Sequence, residues 1–534
     1  GHLFNWYDIK TLEVLRPQYV STVDSGNFVT YLTLLRQGLT EYMDKPIFDN
    51  SIINGLYDTS KIYCHESQIL EKFFEEYNYC KSSQLIYLIN IIDELNIIKN
   101  KYFDKQEKVI KLIELINEDI NKYYLSKITI NNINNLLMDE DKYNDLSKYI
   151  EELSANPSLN KINEIYKNMI DIISLEIKII PDESSEKLCL IMIKEDLTRV
   201  IINVSFLIKA IEYLFYNIDT IIKNTEFIDL YNEKRNLFSI GYDVEKEKIT
   251  NSYYDLLASE ARIASYWAIV KGQIPLKHWY KLGRALTRVD GSRALVSWTG
   301  TMFEYFMPAL ILRNYNGTLL NETYKAVIKS QKLYGNRLNI PWGISESGFF
   351  SFDFNLNYQY KAFGIPDLGL KRGLIEDIVI SPYSTLLVLN EDPESSVENI
   401  KKLIMLGMEG KYGFYESLDF TPKRLRKDMK REIVKSFMAH HLGMGMLALD
   451  NFFHKDAMVR RFNSQPLIKA GEFMLQERLP IKVIMSKEYK EWLEEKDGFS
   501  KEYREPVRTY EMPDFVPPSC HLLSNGSYSL LINT

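Results

Sequence analysis

Residues 254–272 read YDLLASEARIASYWAIVKG, and their spacing decides the fold class. Leu256, Leu257, Ala261, Ala264 and Ala268 recur at helical intervals and make one apolar face, while Gly272 and Pro275 supply a stop. The spacing predicts one helix across the whole stretch. The same three-and-four period runs through LIYLINIIDELNIIKNKYF (85–103) and INEIYKNMIDIISLEIKII (162–180), with Asn and Asp clusters, Pro157 and Pro181 as turns and helix starts. Strand-type alternation is sparse, apart from short runs such as DIVISPY and the tail NGSYSLLINT. The expectation is an all-α core whose paired helices form an α/α toroid, with the site where loops from one end converge.

Texture divides the chain into four segments. Residues 1–66 hold a loop rich in Trp6, Tyr7, Asp24, Ser25, Gly26 and Asn27, then the first barrel helix from about Phe28. Residues 67–228 are a helical, structural-looking insertion rich in Ile, Asn, Lys, Glu and Leu. In 229–480 Gly, Trp, Phe and Arg rise, and helices are joined by loops such as SIGYD, KGQIPLKHW, NIPWGISES and AFGIPDLG, so chemistry is expected there. Residues 481–534 form an extension with a strand-like end; with no initiating Met, the chain reads as cut from a longer polypeptide.

The 534 residues suffice for a large core, and 46% hydrophobic with 26% charged residues is ordinary for a soluble globular protein. A net charge of -7 gives no basic footprint for nucleic acid. Aromatic residues reach 13%, with 36 Tyr, which suits a lined cleft and also an AT-rich coding sequence. Cys64, Cys80, Cys189 and Cys520 are scattered without metal-ligand spacing, which fits a reducing compartment. No segment has the length of an apolar membrane span, and the start lacks a signal pattern. Neither metal nor cofactor is expected.

Two carboxylates stand apart from solvated charged faces. Glu260 lies in SEAR, among Ala258, Ala261 and Ala264, which would let a bulky ligand approach, and Arg262 adds a charge. Glu346 lies in PWGISES after Pro341, Trp342 and Gly343, where an aromatic wall and a flexible backbone favour a site over a structural role. Two carboxyl groups across a sugar cleft can divide the work of glycoside cleavage: one protonates the departing oxygen, the other attacks the anomeric carbon or activates water. Aromatic rings offer flat faces to sugars, and Arg, Asn and His offer hydrogen bonds.

Other residues carry two readings each. Glu304 and Glu416 are either cleft residues or buried acids paired with an Arg such as Arg284 or Arg372. Asp24 is either a helix cap or a substrate contact. Trp279 and Trp298 suit core or sugar platform. His440 and His441, being adjacent, point to different helix faces and cannot both hold one ion without distortion; one is read as a core or sugar-bonding residue. No P-loop, dinucleotide fingerprint or serine elbow appears.

The strings GHLFNWYD, RPQYVSTVDSGN, RNLFSIGYD, the 254–284 segment, TMFEYFMPAL, PWGISESGF, YQYKAFGIPDLGLKRG, YGFYESLD and MAHHLGMGMLALDN together resemble the glucoamylase-like middle domain of cyclic β-1,2-glucan synthases, glycoside hydrolase family 189. The resemblance spans 1 to about 50 and about 235 to 480 in order; the tail resembles the entry into a β-sandwich. It implies an (α/α)6 barrel that closes linear β-1,2-glucan into rings by retaining transglycosylation, with Glu346 as nucleophile and Glu260 as general acid/base. Sugar contacts are expected from Trp6, Tyr7, Asp24, Asn27, Arg262, Trp279, Arg284, Trp298, Glu304, Trp342, Tyr360, Lys361, Asp367, Glu416, His440 and His441. Expected partners are glucan chains and neighbouring glycosyltransferase and phosphorylase-like domains, on the cytoplasmic side of a membrane-tethered parent. An endo-β-1,2-glucanase and a non-catalytic glucan-holding module are the alternatives.

Overall fold

In the computed structural model the described residues are 1–63, 96–97, 107–137, 142–479, 520–524 and 528–533. The periodic stretch 85–103 lies, but for two residues, outside them, as do Cys64, Cys80 and 480–519. The chain divides into Gly1–Lys490 and Glu491–Thr534. In the second unit, Cys520–Ser524 and Ser529–Asn533 pair as an antiparallel hairpin.

The Ile-rich region folds because its apolar period matches the helix. In Leu159–Ile179, Ile162, Ile165, Tyr166, Met169 and Ile173 are fully buried, and they share a core with Leu190, Ile193, Leu197, Val200 and Val204 of Ser185–Asn224. Each such side chain contributes roughly 1.5–3 kcal/mol of burial free energy. Ser158 and Ser184 start these helices as N-caps, accepting from the amides of Lys161 and Glu186. Pro157 and Pro181 precede the caps, as turn signals should.

A second core occupies the remainder of this unit, built from residues such as Phe227, Trp267, Trp279, Phe306, Val327 and Phe363. Two helices join the cores. Thr22–Met43 gives Val29 and Leu34 to this core and packs Leu39 and Met43 on the other; Ser185–Asn224 ends with Ile222 against it.

The protein is predominantly helical, yet the all-α expectation omits a set of short antiparallel sheets. Tyr19–Ser21 pairs with Gly241–Asp243, Leu237–Ser239 with Tyr253–Tyr254, Ser347–Phe352 with Tyr358–Lys361, and Ser417–Asp419 with both Val379–Ile380 and Glu432–Val434. These strands have two to six residues, and Leu237–Ser239 and Ser417–Asp419 are buried throughout. Runs of so few residues are too short for an alternating pattern to stand out.

Two helix boundaries also differ. The first helix begins at Thr22, not near Phe28, so Asp24 and Asn27 sit in its first turns. The helix expected over 254–272 forms only as Arg262–Val270, because Tyr253–Tyr254 joins a sheet and Leu256 bridges to Gly283. Its stop at Gly272, with φ +70°, is as read. Among the described residues no helix is long and apolar enough to cross a membrane.

Candidate active site

Glu260 occupies the turn that opens Arg262–Val270. Ser259 Oγ accepts from the Ala261 amide and lies 3.2 Å from Glu260 Oε2, fixing the turn. Arg262 is buried and spends its charge on structure, donating to Leu257 O, Tyr305 O and Tyr324 Oη at 2.9, 3.2 and 3.0 Å. The alanines beside Glu260 are buried as well, so they serve packing and not ligand access: a Cβ on Gly26 of the first helix would stand 2.4 Å from that of Ala264.

Glu346 is set by a loop whose backbone is bonded from all sides. Asn399 brackets Trp342 at its N–H and C=O (3.1 and 2.8 Å), and Gln331 does the same for Ile344 (2.9 Å each). Gly343 has φ +124° and touches Ser384, where any side chain would collide. Tyr383 Oη donates to Glu346 O at 2.9 Å and meets Ser345 Oγ at 2.8 Å. The expected flexible loop with an aromatic wall is thus a rigid mount, and Trp342 is a core residue.

Both carboxylates are deeply surrounded by protein yet keep some surface open to solvent. Burial raises each to about 7. For Glu260 the charges of Glu304 and Glu346 add to the rise; for Glu346, Glu304 and Asp24 add while a hydrogen bond from Tyr360 opposes. Burial and neighbouring like charges disfavour the ionised form of each carboxyl.

Glu304 supplies that field from a fixed position. It closes a capping box with Thr301 and accepts from Ser297 Oγ at 2.7 Å and from the Thr299 and Thr301 amides at 3.0 Å each. Its partners are hydroxyls and amides, not an arginine; Arg284 instead pairs with Glu477 at 2.7 Å.

On the other side of Glu346, Tyr360 Oη lies 3.1 Å from Nε2 of His440 and of His441. These histidines stand in the first turn of Ala439–Phe453 and converge on one oxygen, contrary to the expectation that neighbouring positions diverge. His441 Nδ1 meets both Glu416 oxygens at 2.9 and 3.0 Å, its ring stacks on Tyr383 at 3.8 Å, and Glu416 also accepts from the Gly348 amide at 3.0 Å. Burial and the neighbouring His441 lower His440 to about 4.

The structure therefore gathers Glu260, Glu346, Glu304, Asp24, Tyr360, Glu416, His440 and His441. Asp24 is exposed and does not cap its helix; Ser21 does, accepting from the Asp24 amide at 3.2 Å. Asn27 lies half-buried nearby on that helix. Trp6 and Trp298 are exposed, at 48% and 59%, and Tyr7 accepts from the Phe4 amide to hold its own loop. Trp279 is a core residue at 1% exposure. Lys361 pairs with Asp377, and Asp367 faces Arg337 at 3.8 Å. Two site residues escaped the sequence reading. Tyr254, whose hydroxyl is pushed up by burial and by the Glu260, Asp24 and Glu346 charges, falls in the stretch whose spacing predicts a helix; Tyr383 falls in the strand-like run DIVISPY but stands in the helix Pro382–Leu386. Among the described residues no three His, Cys, Asp or Glu side chains are grouped to hold a metal.

Residues 252–466 match the family model named Glycoamylase, a glucoamylase-type domain. The chain is 33% identical, over its entire length, to the cyclic β-(1,2)-glucan synthase NdvB of Rhizobium meliloti (strain 1021), and spans 17% of that protein. Among solved structures, a β-1,2-glucanase from Parabacteroides distasonis is 13% identical with TM-score 0.39, covering 74% of this chain and 55% of its own. An endo-β-1,2-glucanase from Talaromyces funiculosus is 15% identical with TM-score 0.35, covering 52% and 64%. By sequence, then, residues 252–466 are similar to the glucoamylase-type family model, and the chain from end to end is similar to one segment of a cyclic β-(1,2)-glucan synthase.

Proposed function

We propose that this chain is a glycoside-cleaving transglycosylase that closes linear β-1,2-glucan into rings with retention, on a helical scaffold read as an (α/α)6 toroid. The observation that carries the reading is the pair Glu260 and Glu346: both partly open to solvent, both on rigid mounts, and both raised to about 7 with Glu304 adding to each rise. Similarity of the whole chain to part of a cyclic β-(1,2)-glucan synthase supports the substrate class. In this reading protonated Glu260 gives its proton to the glycosidic oxygen while ionised Glu346 attacks the anomeric carbon, forming a glycosyl-enzyme and releasing one chain end. Glu260 then takes the proton of a sugar hydroxyl at the far end of the bound chain, and that oxygen displaces Glu346. Neighbouring glycosyltransferase and phosphorylase-like domains, and a cytoplasmic, membrane-tethered parent, belong to the same proposal.

Hydrolysis is the second reading, favoured by exposed Asp24, whose charge reaches Glu346 from a helix end open to water. Linear β-1,2-glucan is incubated with the protein and with Glu260→Gln and Glu346→Gln, and followed by mass spectrometry and reducing-end assay. Rings lighter by one water than the linear glucan of the same length, an unchanged number of reducing ends, and inactive variants are expected. Rising reducing ends would replace cyclisation by hydrolysis; variants as active as the parent would remove both carboxylates from the chemistry.

A further inference from the structure

Tyr360 Oη carries one hydrogen and can accept two more. Three polar partners surround it: the Glu346 carboxylate, His440 Nε2 and His441 Nε2. Burial, reinforced by the charges of Glu346, Tyr383 and Glu416, pushes the Tyr360 phenol far up, so its hydrogen stays on oxygen. If that hydrogen points at Glu346, each imidazole must donate. If an imidazole accepts it instead, Glu346 loses its donor.

The choice is tied to what stands behind His441. Its Nδ1 faces the buried Glu416 carboxylate at 2.9 and 3.0 Å, and its ring lies flat on Tyr383 at 3.8 Å and 12°, so ring and tilt are fixed. Tyr383 in turn bonds the Glu346 carbonyl. With Nδ1 against the buried Glu416 carboxylate and Nε2 against Tyr360 Oη, a His441 that donates through both nitrogens would leave the Tyr360 hydrogen for Glu346. We propose that Glu416 and His441 are positioning residues: they hold the Tyr360 hydroxyl in the orientation that donates to Glu346, and so keep the Glu346 carboxylate aimed for the role proposed for it. Among the described residues, the other titratable groups whose charges couple to Glu346 include Asp24, Tyr254, Glu260, Glu304 and Tyr383, none of them cationic. Tyr360 is thus the donor that opposes their charge.

This inference rests on the carboxylate roles proposed above, and its test separates the two. His441→Phe keeps a flat ring on Tyr383 and removes both nitrogens; it is compared with Tyr360→Phe and the double variant. Two quantities are read: the acidic limb of kcat/KM on linear β-1,2-glucan, and the pH midpoint of carbodiimide labelling at Glu346 by peptide mass spectrometry, which needs no turnover. Each single variant is expected to move both upward by about one pH unit, the size of a charge-assisted hydrogen bond, with KM little changed. The double variant is expected to move no further. Unmoved midpoints in His441→Phe, or additive shifts in the double variant, would overturn the proposal. If His441→Phe fails to fold, Glu416→Gln is read the same way. Moved labelling midpoints with an active Glu346→Gln would leave the hydrogen-bond chain standing and remove the catalytic reading.

Discussion

Gly26 meets Ala264 so closely that a Cβ on the glycine would stand 2.4 Å from that of the alanine. That contact seats the helix bearing Asp24 against the one opened by Glu260. Gly26→Ala must push the helices apart, so it is expected to cost about 1–3 kcal/mol in urea unfolding, and to lower kcat more than a surface variant of equal stability.

Glu260 and Glu346 bind their protons more tightly in the folded protein, near 7, than in the unfolded chain, about 4.3. Ionisation therefore opposes folding: the penalty is absent below about pH 4 and complete above about pH 7. Glu260→Gln and Glu346→Gln should each stabilise the protein at pH 8 by about 1–3 kcal/mol and leave it unchanged at pH 4. Equal stability at both pH values would contradict the raised carboxyls.

Glu304→Gln keeps the residue type a capping box accepts while deleting a negative charge felt by both site carboxylates. Without it Glu260 and Glu346 both titrate lower. Both limbs of the pH–rate bell should move to the acid side, the alkaline limb by lower Glu260 and the acidic limb by lower Glu346. A shift to alkali would show that Glu304 acts through something other than its charge.

Ile165 lies in the core of the Ile-rich region, fully buried. Ile165→Ala is expected to cost about 2–5 kcal/mol in thermal or urea unfolding and to leave the pH–rate profile in place. A changed profile would tie that core to the chemistry.

Helices with a clean apolar period were legible: Ile162, Ile165, Met169 and Ile173 mark their own buried face. The two carboxylates were legible too, because acids set among Gly, Trp and Ala contrast with a solvated surface. Their surroundings were not. Whether Ala264 meets a ligand or Gly26, whether Trp342 walls a cleft or fills a core, and which acid Arg284 pairs with depend on partners far along the chain. Local spacing likewise misjudged His440 and His441, since their convergence is set by Tyr360 on a distant hairpin.

The helix Thr22–Met43 is about 33 Å long and belongs to two cores at once, with Val29 and Leu34 in one and Leu39 and Met43 against the other. In the language of native-state exchange, its central amides cannot open with either core alone. They report whichever cooperative unit is the last to let go, so their protection measures how firmly the scaffold holds Asp24 in place.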